Sequence, residues 1–248
     1  MRRLIAAVCP PGISLVLDRR QVALDADPSK VQKAWKSFTS LKTYQALKTT
    51  LSEPLGTRRR CAFCSDSRAA DIEHFWPKSV YPGQAFRYDN LLLLCPECNR
   101  VKGRRFPVDE AGLPLLVNPV SDDPWDVLFF VPTTGWIDAR ITGISKTGEL
   151  IRDTRGVATL HILGEILNST PVLEGRKASW NLLVSRLEAL LEDTTAVPNS
   201  QFELFELDDS FGLGEFLLNR EGKENPHVRS LRERAPQRWK ELRNLPRF

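Results

Sequence analysis

Two Cys-x-x-Cys pairs, Cys61/Cys64 and Cys95/Cys98, constrain the fold of this sequence more than any other feature. Each pair offers two soft thiolate ligands from one tight turn, and two such pairs complete the tetrahedral coordination that structural zinc prefers. Four protein sulfurs leave no open position for water. The pairs therefore predict a zinc ion that stabilises the fold and takes no part in chemistry.

The segment between the two pairs is long enough to contain secondary structure of its own. It exceeds the roughly 15 to 20 residues that separate the pairs of a short zinc ribbon. Residues 69–74 and 90–94 are predicted to form two short strands. Pro96 suits the first turn of a helix that extends through Lys102. The predicted order is strand, long loop, strand and helix, with zinc joining the two ends.

The residues of this unit resemble the HNH (ββα-metal) endonucleases, whose pattern is Asp/Glu-His-x-x-Pro, a central Asn, and Cys-x-x-Cys-Asn-x-x-Lys. Every position of that pattern is filled here, by Glu73-His74-Phe75-Trp76-Pro77, Asn90 and Cys95-Pro96-Glu97-Cys98-Asn99-Arg100-Val101-Lys102. The resemblance implies an α+β fold in which a zinc-clamped ββα-metal nuclease core is flanked by mainly helical N- and C-terminal segments.

The resemblance also implies a role for each matching residue. His74 would be the general base that activates water, and Asn90 would hold its imidazole in place. Glu73 and Asn99 would bind the catalytic metal ion, with Asp71 as an additional candidate ligand. Hydrolysis of a phosphodiester requires both a base and a hard cation. Because oxygen ligands suit Mg²⁺ or Mn²⁺ and thiolates suit zinc, two metals with different tasks are predicted.

Basic residues flank both ends of this unit, although the net charge of +4, from 35 basic and 31 acidic residues, is too small to indicate nucleic-acid binding by itself. Such flanks are what a phosphate-tracking groove requires. The residues predicted to contact phosphate are Lys78, Arg100 and Lys102. The other members of the flanks are Arg58, Arg59 and Arg60 before the first cysteine pair, and Arg104 and Arg105 after the second.

Two other functions are compatible with the same residues. A zinc-stabilised module could bind nucleic acid without cutting it, and a scaffold subunit could serve mainly to bind an ATPase. The complete Glu73-His74 and Asn99 set favours the nuclease over both, because neither alternative requires a base beside metal ligands.

The remaining chain is divided into an N-terminal lead-in and supporting helix (1–56), the nuclease core (57–107) and a mixed, then mainly helical C-terminal region (108–248) that would bind a partner or substrate. Proline and glycine positions and apolar spacing carry these predictions. The predicted elements are an extended lead-in over 1–26 with a strand at 13–17, one helix over 31–51 with Trp35 in the core, strands at 115–118, 126–131 and 136–141, helices from 159 onward, an acidic strip at 187–209 and short helices in a basic tail at 220–248.

A narrower resemblance extends beyond the nuclease core. Its motifs are Glu73-His74-Phe75-x-Pro77-Lys78-Ser79, Tyr88-x-Asn90-Leu91, Cys98-Asn99-x-x-Lys102-Gly103, Asn118-Pro119, Asp122-Asp123-Pro124, Gly135-Trp136-Ile137 and a helical segment ending at Arg176. Together they are similar to the HNH nuclease subunit of Septu-type and retron-associated antiphage systems (PtuB-like). The resemblance implies a defence effector that cuts DNA or tRNA beside an ATPase subunit of the SMC/ABC type.

Cysteine usage predicts a reducing compartment. Four of the five cysteines lie in the two pairs, and Cys9 is left unpaired. The apolar run at the start is shorter than the roughly 7 to 15 residues of a signal-peptide core. No apolar run approaches the roughly 18 residues of a membrane span. A cytoplasmic location without a membrane partner is therefore expected.

Overall fold

Three antiparallel strand pairs and a set of helices build the part of the chain that this computed structural model describes, residues 1–192, 209 and 211–244. The helices are α1 (Pro11–Asp25), α2 (Val31–Thr39), α3 (Lys42–Ser52), α4 (Pro96–Lys102), α5 (Thr154–Leu167), α6 (Thr170–Glu192), α7 (Leu213–Asn219), α8 (Pro226–Arg234) and α9 (Pro236–Arg243). The strands are β1 (Asp71–His74), β2 (Leu91–Leu94), β3 (Leu128–Val131), β4 (Trp136–Ala139), β5 (Ile141–Ile144) and β6 (Leu150–Arg152).

The first strand pair and α4 form the predicted strand, loop, strand and helix unit. β1 and β2 pair in register from Asp71↔Leu94 to His74↔Leu91, and every residue of β2 is buried. Cys95 caps α4, since its sulfur accepts a hydrogen bond from the Cys98 N–H, and Pro96 occupies the first turn. The predicted α+β class with a small ββα core is confirmed.

The strand predicted at 13–17 and the extended lead-in predicted over residues 11–25 are wrong, because these residues form α1. Residues 1–10 have no regular secondary structure. Pro11 stands at the first position of α1, where its missing N–H is not needed and its φ angle suits a helix. The buried face of α1 comprises Ile13, Leu17, Gln21 and Leu24, which recur every three or four residues. Packing of this face outweighs the strand propensity of the isoleucine and valine residues in the segment.

The single helix predicted over 31–51 is two helices, α2 and α3. Thr39 Oγ1 donates to the Lys36 carbonyl at 2.8 Å and Ser40 Oγ donates to the Ser37 carbonyl at 2.9 Å. Hydroxyls that bond nearby carbonyls in this way compete with the helical ladder. The following residue, Leu41, is extended, and α3 starts anew from it.

The C-terminal region is mixed and then helical, as predicted, with one strand assigned wrongly. Residues 115–118 are not a strand: the Leu115 and Val117 N–H groups bond the Pro107 carbonyl and the Thr159 hydroxyl instead of a ladder partner. Strands 126–131 and 136–141 are confirmed as the shorter β3 and β4, and the basic tail forms the short helices α8 and α9. Most of the acidic strip, at 193–208, lies outside the described residues.

One contiguous apolar core joins the three segments of the chain. Buried side chains of α1 and α2, of the ββα unit and of α5 to α9 belong to a single cluster. Helix α5 packs against both α4 and β4, so the C-terminal region lies directly against the predicted nuclease core. None of the described helices combines the length and apolarity needed to cross a lipid bilayer.

Candidate active site

The four paired cysteines converge on one buried point. One ligand atom from each of Cys61, Cys64, Cys95 and Cys98 lies within 4.8 Å of the others, and all four residues are buried. Their positions follow from the chain path, since one pair precedes β1 and the other follows β2, and the two strands are paired. This arrangement brings two turns that are distant in sequence to one point, where their sulfurs could together hold one ion.

The chemistry of this cluster fits zinc. Hydrogen bonds among the thiols lower the pKa of Cys64 and raise the pKa of Cys98, because the four sulfurs cannot all ionise side by side without a cation. A zinc ion would ionise all four and neutralise half of the resulting charge. The prediction of a four-cysteine zinc site is thus supported by geometry as well as by spacing.

His74, the predicted base, is buried at the end of β1. Its side chain is only 1% exposed, and the ring of Trp35 lies edge-on against it with centroids 4.2 Å apart. The Nε2–H group donates to the Ala85 carbonyl at 2.9 Å, whereas Nδ1 has no hydrogen-bond partner among the described residues. This hydrogen bond selects the tautomer in which Nδ1 carries the lone pair.

Electrostatics keep the His74 imidazole neutral. Burial lowers the pKa of His74 to about 3, and the positive charge of Lys78, followed by that of Lys102, acts in the same direction. The hydrogen bond to Ala85 opposes these effects. A neutral ring with one unengaged nitrogen is the form that can accept a proton. A phosphate diester placed beside the ring would raise this pKa, because its negative charge favours the protonated imidazole.

Asn90, predicted to orient His74, ties together the loop between β1 and β2. Its Oδ1 accepts from the Trp76 N–H at 2.7 Å, and its Nδ2 donates to the carbonyls of Trp76 and Gln84 at 3.1 and 2.8 Å. Gln84 directly precedes Ala85, which accepts the His74 hydrogen bond. The predicted orienting role stays a prediction, and the route available to it runs through this loop.

Glu73 and α4 meet beside His74. Lys102 Nζ lies 3.2 Å from Glu73 Oε1 and donates to the His74 carbonyl at 2.7 Å. Asn99 lies one turn before Lys102 on α4 and is partly exposed, as is Glu73. Because β1 contacts α4, Glu73 lies beside the helix that carries Asn99. Their joint binding of a catalytic metal stays a prediction. Asp71 lies two residues before Glu73 on the same face of β1.

Comparison with known proteins identifies this part of the chain. The family model described as HNH endonuclease matches residues 60–105. Residues 60–105 are an HNH endonuclease domain. The chain is also 32% identical over 73 residues to the Septu protein PtuB of Bacillus thuringiensis. That match spans 27% of this chain and 27% of PtuB, so most of both proteins lies outside it.

The basic residues predicted to bind phosphate are not equivalent in the HNH domain. Lys102 is fully buried, with its ammonium held by Glu73 and the His74 carbonyl. A direct phosphate contact would require it to leave this cluster. Lys78 is partly exposed and lies 5.6 Å from the centroid of the Trp35 ring, and Arg100 is exposed on α4. Other exposed residues of the basic flanks are Arg58, Arg59, Arg104 and Arg105.

Substitution of the two lysines is expected to separate substrate binding from structural support. Lys78→Ala should raise KM and reduce the slope of log affinity against log salt by about one, with unchanged folding. Lys102→Met should lower the melting temperature, because Glu73 loses a buried cation. The measurements are salt-dependent binding and thermal melting. Wild-type stability combined with weakened binding in Lys102→Met would instead assign it to phosphate contact.

Arg176 is a buried cation of the C-terminal region that lies near enough to the four-cysteine cluster to interact with it electrostatically. This fully buried guanidinium donates to the carbonyls of Gly135 and Leu167 and lies 5.6 Å from the centre of the Phe211 ring. Burial lowers the pKa of Arg176 to about 10, and the negative charge of Cys64 opposes that shift. A positive charge here would stabilise the net negative charge of a zinc ion bound by four thiolates.

Arg176→Met is expected to lower the free energy of unfolding by about 2 to 3 kcal/mol, because two buried carbonyls lose a charged donor. Zinc should also transfer faster to a chelator, since the cluster loses a nearby cation. Chemical denaturation and a chelator-competition assay measure these effects. Lys177→Met is the matched control, because this half-buried neighbour forms an ion pair with the exposed Glu174. Equal behaviour of the two variants would contradict the assignment.

Sequence reasoning missed two contributors to this site. Trp35 was predicted only as a core residue, yet it covers the His74 ring. Gln21 was placed in an extended lead-in, yet it lies buried on α1 with hydrogen bonds to the loop between β1 and β2. A signal for Gln21 was present, because it interrupts the otherwise apolar face formed by Ile13, Leu17 and Leu24.

Proposed function

We propose that this protein is a metal-dependent HNH endonuclease that hydrolyses phosphodiester bonds in nucleic acid. The observation that carries the proposal is the state of His74. Its Nε2–H is engaged by a backbone carbonyl and its Nδ1 is left without a partner among the described residues, one position after Glu73. A neutral imidazole held in this tautomer beside an acidic residue is suited to general-base catalysis.

His74 Nδ1 would accept a proton from the attacking water. The water oxygen then forms a bond to phosphorus as the bond to the leaving oxygen breaks, and that oxygen takes a proton from solvent. Glu73 and Asn99 would hold Mg²⁺ or Mn²⁺, which supplies neutralisation of the charge on the phosphate and the leaving oxygen. Their carboxylate and amide oxygens are the ligands that such hard cations prefer. Lys102 would hold the Glu73 carboxylate in place for this task.

The substrate is proposed to be DNA, with tRNA as the alternative. Exposed arginines of the basic flanks are suited to tracking a phosphate backbone of either kind. Lys78 lies close enough to His74 for its positive charge to lower the pKa of the imidazole. A phosphate paired with Lys78 would therefore lie near His74.

The biological role is proposed to be antiphage defence, on the basis of the similarity to PtuB. By that analogy the nuclease would work with an ATPase subunit of the SMC/ABC type in the cytoplasm. The C-terminal region is the proposed contact for the partner, because its helix α5 packs on α4 of the HNH domain.

The test is strand scission by the purified, zinc-loaded full chain. Duplex DNA, single-stranded DNA and total tRNA are incubated with Mg²⁺ or Mn²⁺, and a parallel set receives EDTA. Cleavage that requires the divalent cation and is lost in His74→Ala is the expected result, and it also identifies the substrate. The proposal would be contradicted if the protein binds nucleic acid but does not cleave it, both alone and with the proposed ATPase partner and ATP. That result would favour a binding module.

A further inference from the structure

The loop that carries the Ala85 carbonyl is held from two sides. From within the HNH domain, Asn90 binds the backbone of Trp76 and Gln84. From α1, Gln21 binds the residues on either side of this point: its Nε2 donates to the Pro82 carbonyl at 3.1 Å, and its Oε1 accepts from the Phe86 N–H at 2.8 Å. Ala85 therefore lies between two anchored neighbours.

Gln21 is an unusual residue for its position on α1. It is only 3% exposed and shares a buried face with apolar residues. Burial of a side-chain amide is unfavourable unless its polar atoms are bonded, and here every bond goes to the loop or to Asp25, whose Oδ1 accepts from Nε2 at 2.7 Å. If the amide were flipped, its oxygen would face two acceptors, Asp25 Oδ1 and the Pro82 carbonyl. The hydrogen bonds therefore define one orientation of the amide.

We propose that Gln21 is a positioning residue for His74. By anchoring Pro82 and Phe86 it holds the Ala85 carbonyl where it accepts the His74 Nε2–H, and so keeps Nδ1 as the basic nitrogen. Gln21 lies outside residues 60–105, so the HNH domain depends on α1 for the geometry of its base. The catalytic consequence of this inference rests on the proposed nuclease function, whereas its structural consequence does not.

Gln21→Met tests the inference, because methionine fits a buried helix face and lacks both the donor and the acceptor. The readout is the long-range ¹H–¹⁵N spectrum of the histidine rings in the zinc-loaded full chain without substrate. Only three histidines are present, and the His74 signals are those absent from His74→Ala. We expect a single Nε2–H tautomer in the wild type and shifts towards a tautomer mixture in Gln21→Met.

In the cleavage assay, kcat of Gln21→Met should fall about 10- to 100-fold with KM nearly unchanged, because misplacement of a catalytic group affects the chemical step more than binding. Thr159→Val is the matched control. Thr159 Oγ1 accepts from the buried Val117 N–H at 3.0 Å, so its removal also leaves one backbone donor unbonded, without touching the loop or His74. Its His74 spectrum and kcat should match those of the wild type.

A wild-type His74 spectrum in folded Gln21→Met would overturn the inference, and so would an equal loss of kcat in Thr159→Val. A wild type that cleaves nothing, either alone or with the ATPase subunit and ATP, would refute the nuclease function instead. The tautomer shift is measured without substrate and is therefore decided separately.

Discussion

Cys95→Ser is expected to release zinc and unfold the HNH domain. Cys95 has two structural roles. Its sulfur belongs to the four-cysteine cluster, and the same sulfur caps the N-terminus of α4. Structural zinc contributes about 10 to 16 kcal/mol of apparent binding free energy in small zinc domains, as much as or more than the total stability of a typical domain. If loss of one thiolate releases the zinc, the binding free energy that is lost exceeds the free energy of unfolding of a typical domain.

Elemental analysis of the purified protein and a circular-dichroism melt measure this effect. Cys9→Ser is the matched control, because Cys9 is outside the cluster. It should retain wild-type zinc content and melting temperature. A folded Cys95→Ser protein with a full equivalent of zinc would show that the cluster is not the structural site.

His74→Ala is expected to abolish cleavage while zinc content stays unchanged. Removal of a general base costs about 10²- to 10⁴-fold in rate, and the nearest zinc ligands are separated from His74 by the length of β1 or β2. The measurement is cleavage of the substrate identified in the panel, under single-turnover conditions. A cleaving variant would assign the base elsewhere, and a zinc-free variant would contradict the separation of catalytic and structural tasks.

His74→Gln separates the loss of the base from the loss of packing. Alanine leaves a cavity beneath Trp35, whereas glutamine retains volume and an amide donor for the Ala85 carbonyl. Glutamine has no basic nitrogen, so this variant should be as inactive as His74→Ala but closer to wild type in melting temperature. Activity in His74→Gln would indicate that His74 serves only as a packing and hydrogen-bonding residue.

The ββα core was predictable because its signals are local. Ligand spacing within each Cys-x-x-Cys turn, the proline at the start of α4 and the short apolar strands act over a few residues, and the structure agrees with each of them. Errors occurred where local propensity and packing disagree. The segment 13–17 has strand-forming residues, but burial against the core makes it part of α1.

The sequence by itself identified the four candidate zinc ligands through the spacing of the cysteine pairs. It also identified the candidate catalytic set of Glu73, His74, Asn90 and Asn99 through its resemblance to the HNH endonucleases. Tertiary structure alone decided that Lys102 is buried against Glu73 and that α1 and α2 contact the site of the base. Contacts between segments distant in sequence depend on how apolar faces pack. That packing is a property of the whole core and leaves no short-range pattern in the chain.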